Sequence, residues 1–528
     1  MDRRRFLQHA GCAACAIGAD HLLLRASGAL AAEAYAKLDD AGRLKLADMA
    51  LDLARRAGAS YADIRIGRSE REFIFARERR IEELNTTLSV GFGVRALVDG
   101  SWGFAGSELV DEDEIRGAVA LAIDNAKAVR LIQVDPIVLE SVPTYREDWR
   151  MPMRIDPFTV STQDKAAKLL AINEALLQNG ADFCNSRLSF MREEKLFASS
   201  RGSRINQVRV YSYPSFDATA VDKQSGRFAG RSSLTSPRGA GWEYIEGFDF
   251  AAEAARAAEE AQRKLKAKPV TPGKYDLVID ATNLWLTIHE SIGHATELDR
   301  ALGWEANYAG TSFVTPDKLD TFRYGSPLLT IIGDRTQEGG LATIGFDDDG
   351  VRSAGAEFPI ISNGLFVNYQ TAIGQAAAIG RRQSNGCAYA DSPTAFPIQR
   401  MPNISMQPNP NPTSLDDLFA DVKDGIYIVG AGSWSIDQQR YNFQFTGQTF
   451  FEIKNGKRGD MLRDVAYQGR TPDFWNSMDG LGDRSTYYLG GSLSCAKGQP
   501  QQVVSVSHGA VPARFRQVNV LNTERQDL

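Results

Sequence analysis

An internal repeat is the feature of this sequence that most restricts its fold. Asn179-Gly180-Ala181-Asp182-Phe183 resembles Ala57-Gly58-Ala59-Ser60-Tyr61, and each segment lies between a predicted helix and a run of predicted strands. Further along the chain, Gly226-Arg227-Phe228-Ala229-Gly230 resembles Trp102-Gly103-Phe104-Ala105-Gly106. Similar segments that recur in the same order indicate one supersecondary unit present twice. The N-terminal half is therefore predicted to be a duplicated helix–strands–helix unit.

Sequence periodicity locates the elements of the two units. Helical patterns occupy four segments, residues 38–57, 111–129, 162–178 and 250–268. Runs rich in β-branched and aromatic residues predict strands between them, and Asp99-Gly100 is a hairpin signal. The strands predicted in the first unit are residues 62–66, 72–76, 88–97 and 101–105.

The segment Pro269–Gly273 has the composition of a domain boundary. Beyond it, a helix is predicted over residues 283–302, followed by short strands separated by Gly, Asn and Asp turns. The sequence therefore predicts an α+β protein with a barrel-like or folded-sheet C-terminal domain that carries this helix. The predicted division is a leader at 1–32, a duplicated α/β domain at 33–268 and a β-rich domain at 269–528.

The N-terminus is typical of an exported protein. Arg3 and Arg4 resemble the pair of a twin-arginine signal, and a stretch rich in small residues follows from Ala10 to Gly18. We therefore expect a periplasmic or otherwise exported protein. The alternative is a cytoplasmic protein with a basic tail.

Composition excludes several other classes. The net charge is only -6 over 528 residues, which gives no indication of a nucleic-acid surface. The sequence has no run of about 18 apolar residues, so no membrane-spanning helix is expected. Apart from the leader, the cysteines are Cys184, Cys387 and Cys495, an odd and widely spaced set that does not predict a disulfide framework.

The distribution of histidines points to a metal site. The chain has five histidines, and only His289, His294 and His508 lie outside the predicted leader. Two of these flank Glu290 within one predicted helix. Neutral imidazole is a common zinc ligand, and a neighbouring carboxylate can deprotonate water in a metallopeptidase. The pattern is therefore similar in its logic to the HExxH motif of zinc peptidases.

The spacing of these histidines requires a distorted helix. Five residues of a regular α-helix turn through about 500°, which leaves the side chains of His289 and His294 about 140° apart. A π-bulge, with hydrogen bonds from residue i to i+5, realigns them, and such bulges are frequent at functional sites. Gly293 is expected to permit the distortion. The alternative is two unrelated histidines on different faces of a core helix.

A catalytic zinc site needs a third protein ligand. The residues alone leave Cys495, His508, Cys184, Cys387 and a carboxylate as candidates. Cys495 is flanked by glycines that allow close approach, and Lys497 favours a thiolate. His508 is its rival, and a buried inert cysteine is the alternative to a ligand role.

Two other motifs are rejected. Gly91-Phe92-Gly93-Val94-Arg95-Ala96 matches a dinucleotide fingerprint, but the hairpin signal that follows it is incompatible with the helix that a phosphate site needs. Asp347-Asp348-Asp349-Gly350 lacks the alternating spacing of an EF-hand loop, and a turn is expected there instead.

Several separated motifs together resemble the TldD/PmbA family of metallopeptidases over nearly all of the chain outside the leader. They are Gly91–Ala96 with Gly100–Ala105, the HExxxH run His289–His294 continuing through Glu297 and Asp299, Gly380–Ser384, Arg400–Asn403 and Cys495–Gln499. This chain keeps the histidine motif, so it resembles the catalytic subunit of the family.

The resemblance implies a Zn2+ ion bound by His289, His294 and Cys495, with Glu290 as the general base on zinc-bound water. It also implies hydrolysis of small unfolded peptides or peptide leaders, by a homodimer or a heterodimer with a PmbA-like chain. A non-catalytic peptide-binding or scaffold subunit of such a complex is the alternative function.

Five further residues have predicted roles near this site. Glu297 lies three residues beyond His294 and is expected to orient an imidazole, with a solvated helix carboxylate as the alternative. Arg381, Arg382, Arg400 and Asn403 are predicted to bind the peptide backbone or its carboxylate, with surface ion pairing as the alternative for the arginines.

Overall fold

The computed structural model describes residues 31–498 and 500–524. Arg3 and Arg4 of the predicted leader lie outside these ranges, so their role stays a prediction. No helix within the described ranges is both long enough and apolar enough to cross a membrane.

The N-terminal half consists of two similar units whose strands form one sheet. The first unit contains α1 (Asp40–Arg56), β1 (Tyr61–Arg77), β2 (Arg80–Val98), β3 (Ser101–Ser107) and α2 (Glu112–Arg130). The second contains α3 (Thr162–Gln178), β5 (Phe183–Ser199), β6 (Arg204–Val221), β7 (Phe228–Ser232), α4 (Glu243–Gly247) and α5 (Phe250–Lys266), with β4 (Arg146–Arg150) between the units.

Each unit has a helix, three strands and a closing helix in the same order, with the short α4 as an addition in the second, which confirms the predicted duplication. Their first strands, β1 and β5, pair in antiparallel fashion, and the sheet has the order β3-β2-β1-β5-β6-β4 with β7 also on β6. The repeated Ala57–Tyr61 and Asn179–Phe183 segments follow α1 and α3. Gly58 (φ 96°) and Gly180 (φ 98°) each adopt the left-handed conformation there, which glycine tolerates at the end of a helix. The predicted hairpin at Asp99-Gly100 joins β2 to β3.

The strands are longer than the sequence patterns predicted. Residues 62–66 and 72–76 were expected to form two strands, but they belong to the single strand β1. The polar residues between them pair with β2 on one side and with β5 on the other. Pairing on both edges provides hydrogen-bond partners for the backbone amides and carbonyls of β1. The strand therefore continues through residues that do not alternate between apolar and polar.

The two faces of the sheet have different partners. On β1, Ile64 and Ile66 pack under the helices of the first unit, and Ile74 and Ala76 pack under those of the second. These residues share one face because side chains alternate along a strand. On the opposite face, Arg95 of β2 bonds to Asp349 of the C-terminal half. The sheet therefore lies between its own helices and the C-terminal half.

The C-terminal half has many short elements, as the sequence indicated. Its helices are α6 (Ala281–Ile288), α7 (Leu298–Ala301), α8 (Leu415–Ala420) and α9 (Thr471–Asn476). Its strands are β8 (Lys268–Pro269), β9 (Gly273–Ile279), β10 (Ile331–Asp334), β11 (Phe358–Ser362), β12 (Leu365–Phe366), β13 (Ala388–Tyr389), β14 (Ile398–Gln399), β15 (Asn403–Met406), β16 (Asp424–Ile436), β17 (Asn442–Lys454), β18 (Lys457–Arg463), β19 (Val465–Arg470), β20 (Met478–Leu481), β21 (Tyr488–Lys497), β22 (Gln502–Ala510) and β23 (Ala513–Asn522).

Five of these strands close into a barrel, and the protein is α+β as predicted. The order β16-β9-β23-β19-β17 returns to its start because β17 also pairs with β16. Strands β9 and β16 are parallel, and the other pairs around the barrel are antiparallel. Helix α6 follows β9 directly and packs against β16, β21 and β22. It leads into the segment with the two histidines.

Candidate metal centre

The helix that carries the two histidines changes its winding between them. Helix α6 begins after Asp280, whose carboxylate accepts a hydrogen bond from the amide of Thr282 at 2.9 Å. It ends at Ile288, and His289–Gly293 forms a π-helical turn in which the amide of His294 donates to the carbonyl of His289. The two imidazole centroids are 4.7 Å apart. The π-bulge predicted from the spacing is therefore confirmed.

Gly293 has a different role from the one expected. Its backbone is helical (φ -52°, ψ -63°), a conformation that any residue adopts. A Cβ atom at this position would lie 2.8 Å from Sδ of Met401, so glycine lets the Met401 side chain pack closely on the turn. The continuous helix predicted over residues 283–302 is wrong, because the backbone becomes extended at Glu297 (ψ 120°) before α7 begins.

A bulge in β21 brings Cys495 to the histidines. Ser492 pairs with Val506 and Cys495 with Val504, so β21 contains one more residue than β22 between these pairs. Such a bulge re-aims the side chains that follow it. The Sγ atom of Cys495 lies 3.7 Å from Nε2 of His294. One ligand atom from each of His289, His294 and Cys495 lies within 4.8 Å of the others, in a group that is wholly buried.

Both imidazoles are held by partners on the side away from this group. Nδ1–H of His294 donates to Glu297 at 3.0 Å, which provides the contact predicted for Glu297. The carboxylate of Glu297 also contacts Arg300 at 3.2 Å and Lys497 at 3.2 Å. Because Nδ1 is occupied, the free lone pair of His294 is on Nε2 and points toward Cys495.

His508 holds the other imidazole in the same way and is not a member of the group. Its Nδ1–H donates to the carbonyl of Ile404 at 3.1 Å, so its Nε2 is an acceptor. That atom lies 2.7 Å from Nδ1 of His289, which is therefore the donor. The free lone pair of His289 is then on Nε2. His508 therefore lies behind His289, outside the group formed by His289, His294 and Cys495.

Burial sets the charge states of the group. It lowers the pKa values of His289 and His294 well below the usual value, so both imidazoles are neutral at neutral pH. It also raises the pKa of the Cys495 thiol to about 11, against the opposing charge of Arg400. A bound cation is what converts such a thiol into a thiolate. The group thus offers two neutral imidazole nitrogens as ligands, and the sulfur of Cys495 becomes a third ligand when a cation displaces the thiol proton.

Glu290 lies beside this group and is paired with an arginine that sequence reasoning missed. Its Oε1 atom is 4.0 Å from Nε2 of His289, and its Oε2 accepts a hydrogen bond from Nη1 of Arg440 at 2.6 Å. Burial raises the pKa of Glu290, although the charge of Arg440 opposes the rise. Arg440 lies in the turn between β16 and β17, and no sequence motif relates it to residue 290.

A cleft lies between the two halves of the protein. Its lining includes the side chains of His289, Glu290, His294 and Cys495. The cleft has a volume of about 760 Å³. Tyr213 and Pro237 contribute to it from the N-terminal half, and Trp285 and Trp434 from the C-terminal half. Two bulged strand segments, Ala431–Ile436 of β16 and Gly491–Ala496 of β21, form much of the remaining wall.

The four residues predicted to bind peptide do not line this cleft. Arg381 and Arg382 are exposed, and Arg381 pairs with Asp320 at 3.0 Å. Arg400 is buried and donates to the carbonyl of Cys495 at 2.7 Å. Asn403 is also buried, and it accepts from the amide of Ala342 at 3.0 Å. Two of these residues therefore lie at the surface and two are buried in hydrogen-bonded positions, and their peptide-binding role stays a prediction.

The structure also shows where the two remaining cysteines and the two rejected motifs lie. Cys184 and Cys387 are buried free cysteines outside the group. Asp347 and Gly350 form the expected turn, with the Gly350 amide 3.1 Å from the carbonyl of Asp347. The Gly91–Ala96 motif lies within β2, in agreement with its rejection as a nucleotide site.

Family models identify the chain over most of its length. Models for domain 1, the central domain and the C-terminal domain of the PmbA/TldA metallopeptidases match residues 62–126, 155–265 and 272–520. The chain belongs to the TldD/PmbA family. The C-terminal model contains His289, His294 and Cys495, and the resemblance noted in the sequence is confirmed.

Individual TldD/PmbA relatives extend over nearly the whole chain. A metalloprotease of Methanocaldococcus jannaschii is 29% identical over 80% of this chain and 89% of its own length. A zinc metalloprotease TldD homolog of Saccharolobus solfataricus is 24% identical over 88% of this chain and 98% of its own. TldE from Thermococcus kodakarensis has the same fold, with a TM-score of 0.69 at 16% identity over 89% of this chain and 99% of its own. The two relatives named as metalloproteases support a metallopeptidase, and the likeness to TldE shows the fold.

Proposed function

We propose that this protein is a zinc-dependent peptidase that hydrolyses small unfolded peptides or peptide leaders. The observation that carries the proposal is the convergence of His289, His294 and Cys495 beside Glu290 in an open cleft. The name of the Saccharolobus relative gives further support for zinc.

The side chains of the group fit zinc. Zinc binds imidazole nitrogen and thiolate sulfur, and catalytic sites use three protein ligands and leave a fourth position open. The group supplies three such donors, and the cleft leaves their other side accessible. When bound, zinc supplies the Lewis acidity that polarises a peptide carbonyl and acidifies water.

Glu290 is placed to act as the general base. It faces the cleft beside His289, and its raised pKa makes it a stronger base than an exposed carboxylate. In the proposed reaction, Glu290 takes a proton from the attacking water. It then delivers this proton to the amine nitrogen as the carbon–nitrogen bond breaks.

The walls of the cleft favour an extended substrate. In the described part of the chain, β22 is the only strand that pairs with β21, so the other edge of β21 has no strand partner. Residues 491–496 of this strand line the cleft. An extended peptide can add to a free strand edge through its main chain, which unfolded segments do more readily than folded ones.

Glu290→Gln tests the chemistry. We expect the variant to retain about one zinc per chain, because the three donors remain, and to lose peptide cleavage. Digestion of an unfolded peptide mixture, followed by mass spectrometry with and without a chelator, provides the measurement. A wild-type protein that holds no metal and acts no differently from the variant would contradict the proposal and favour a non-catalytic peptide-binding or scaffold subunit.

Cys495→Ala tests the third ligand, with Cys387→Ala as the matched control. Both cysteines are buried, but only Cys495 adjoins the histidines. We expect Cys495→Ala to weaken zinc binding strongly and Cys387→Ala to leave it unchanged. Equal zinc affinities in both variants would exclude Cys495 as a ligand.

We further propose that the protein is exported and dimeric. The leader with Arg3 and Arg4 supports export through the twin-arginine route, and conversion of both residues to Lys should retain the protein inside the cell. The structural likeness to TldE supports a complex of the TldD/PmbA type. Light scattering of the purified chain, alone and mixed with a PmbA-like chain, distinguishes a homodimer from a heterodimer.

A further inference from the structure

Arg440 projects into the cleft from a turn that is fixed on several sides. The carboxylate of Asp437 accepts hydrogen bonds from the amides of Tyr441 at 2.8 Å and Asn442 at 3.0 Å. The carbonyl of Arg440 accepts from Oγ1 of Thr471 at 2.7 Å. The backbone of Arg440 is left-handed (φ 63°), a conformation that is unfavourable for a residue with a long side chain. Such strain is retained where the surrounding structure imposes it, and it is frequent at functional sites.

The guanidinium group of Arg440 has a donor that is not used. Nη1 bonds to Glu290, but Nε is buried and has no hydrogen-bond partner among the described residues. The side chain is only 14% exposed, and it lines the same cleft as Glu290 and His294. A buried cation with a spare donor is well suited to an oxygen atom of a ligand.

The contact between Arg440 and Glu290 limits which oxygen atom of the substrate Arg440 can bind. Glu290 delivers its proton at the bond that is cleaved, so a group 2.6 Å from its carboxylate is close to that bond. Residues of the segments 431–436 and 491–496 line the same cleft, whose volume of about 760 Å³ has room for more of a peptide than the cleaved bond. A site for the terminal carboxylate of the substrate would instead close the cleft to longer peptides.

We propose that Arg440 is a catalytic residue that donates a hydrogen bond to the oxygen of the scissile carbonyl as negative charge develops there. This inference rests on the proposed peptidase function. Water adds to the carbonyl carbon, and the electron pair of the carbon–oxygen double bond moves onto the oxygen. The electron pair on oxygen then re-forms the carbon–oxygen double bond as the carbon–nitrogen bond breaks. Glu290 transfers the water proton to the leaving nitrogen, and Arg440 stays protonated throughout. The ion pair with Glu290 is the arrangement of the substrate-free protein.

The test uses the full zinc-loaded protein and its Arg440→Gln and Arg440→Lys variants. The substrate is an internally quenched peptide blocked at both ends, so that no terminal carboxylate is present, and the same peptide with a free C-terminus is assayed beside it. Calorimetry measures the binding of a phosphinic peptide, which mimics the tetrahedral transition state. The control is Arg470→Gln, an exposed arginine that pairs with Asp473 outside the cleft. Zinc content and melting temperature show whether each variant is folded and loaded.

We expect Arg440→Gln to lower kcat by about 10²- to 10³-fold, as does the loss of one oxyanion donor in other enzymes. KM should change little, and the affinity for the phosphinic peptide should fall by a similar factor to kcat. Arg440→Lys should recover part of both losses, and Arg470→Gln should match wild type.

Three results would overturn the inference. A kcat loss with unchanged phosphinic-peptide affinity would mean that Arg440 acts only on Glu290. A defect confined to KM for peptides with a free C-terminus would make it a carboxylate-binding residue. Normal kinetics in Arg440→Gln would show that Arg440 has no role in catalysis, while the proposed peptidase function would still stand. If the wild-type protein neither cleaves peptide nor binds the phosphinic peptide, the proposed function itself fails.

Discussion

The imidazoles of His289 and His294, two of the proposed metal ligands, each have one nitrogen hydrogen-bonded to a partner. The partner determines which nitrogen faces the other proposed ligands. Glu297 does this for His294, and His508 does it for His289. A histidine ligand needs its lone pair on the metal side, so these contacts orient the ligand before any ion binds. The usual carboxylate partner is replaced by a neutral imidazole in the case of His289.

We expect His508→Phe to weaken zinc binding by about 10- to 100-fold, the usual effect of losing a partner of a metal-bound histidine. The substituted ring fills similar space but accepts no hydrogen bond, so His289 loses its orientation. His508→Gln should bind zinc more tightly than His508→Phe, because its amide oxygen can accept from Nδ1 of His289. Competition with a fluorescent chelator measures the affinities. Equal affinities of wild type and His508→Phe would show that the contact does not orient the ligand.

Glu193 is predicted to make the stability of the fold depend on pH in the acid range. Burial alone would raise the pKa of Glu193, but the charges of Arg209 and Lys195 outweigh it and hold the pKa at about 2. Because the folded-state pKa is below the unfolded value, Glu193 stabilises the fold above about pH 4.5, and this stabilisation is lost as the pH falls toward 2. Urea unfolding of Glu193→Gln should therefore show a smaller loss of stability between pH 5 and pH 3 than wild type. Parallel pH profiles would contradict the assignment.

The sequence predicted some of these residues and not others for a clear reason. His289, Glu290 and His294 are close in the chain, and the spacing itself indicated the π-turn. Cys495 was predicted from the resemblance to the family, not from its surroundings alone. Arg440 reaches the site from a turn 150 residues away, and only the closed barrel shows that the turn faces the cleft.

At the scale of elements, the site depends on how closely β21 packs on α6. Helix α6 leads into the histidine turn, and β21 carries Cys495, so the separation of the two elements sets the distance between the ligands. Gly490 allows the close approach, since a Cβ atom there would overlap the ring of Trp285. The same Trp285 ring stacks on His508 at a centroid distance of 6.4 Å.

We expect Gly490→Ala to reduce both stability and zinc affinity. The added methyl group must push β21 away from α6, and overpacking of this kind costs roughly 1–3 kcal/mol. Gly459→Ala is the matched control, because its Cβ atom would have no neighbour closer than 3.5 Å. Thermal unfolding and chelator competition measure the two effects. If the two variants behave alike, the close packing of β21 on α6 does not set the geometry of the site.

Helices were predicted more accurately than strands, and the structure shows why. The segments over residues 111–129 and 162–178 each match an observed helix to within a residue or so, because a helix satisfies its own backbone and shows its period locally. A strand depends on its neighbours, which are not visible in its own sequence. This explains why β1 was predicted as two pieces. The helix over residues 283–302 was extended past the turn at Glu297 for another reason, since Leu298–Ala301 beyond the turn is again helical.

At the scale of the whole molecule, the duplication was predictable but the position of the sheet was not. Repeated segments in the same order indicated two similar units. Polar residues such as Asp63 and Arg65 alternate with apolar ones on β1, a pattern that ordinarily indicates a face exposed to solvent. Both side chains are fully buried, because this face of the sheet packs on the C-terminal half.

A buried ion cluster joins the two halves at that interface. Arg95 of β2 bonds to Asp63 of β1 at 2.6 Å and to Asp349 of the C-terminal half at 2.8 Å. All three side chains are at most 3% exposed. Lys195 of β5 makes a similar contact with Asp348. The cleft lies between the same two halves, so these contacts help to fix its width.

We expect Arg95→Ala to destabilise the protein by about 3–5 kcal/mol, because it leaves Asp349 buried without its cation and Asp63 with only Arg65, at 3.8 Å. Arg79→Ala is the control, since Arg79 pairs with Glu174 at the surface and its loss should cost about 0–1 kcal/mol. Urea unfolding measures both values. Limited proteolysis adds a local readout, because separation of the halves should expose new cleavage sites in Arg95→Ala at denaturant concentrations that leave the control intact. A loss of stability no larger than that of Arg79→Ala would mean that the halves are held together by apolar packing rather than by this cluster.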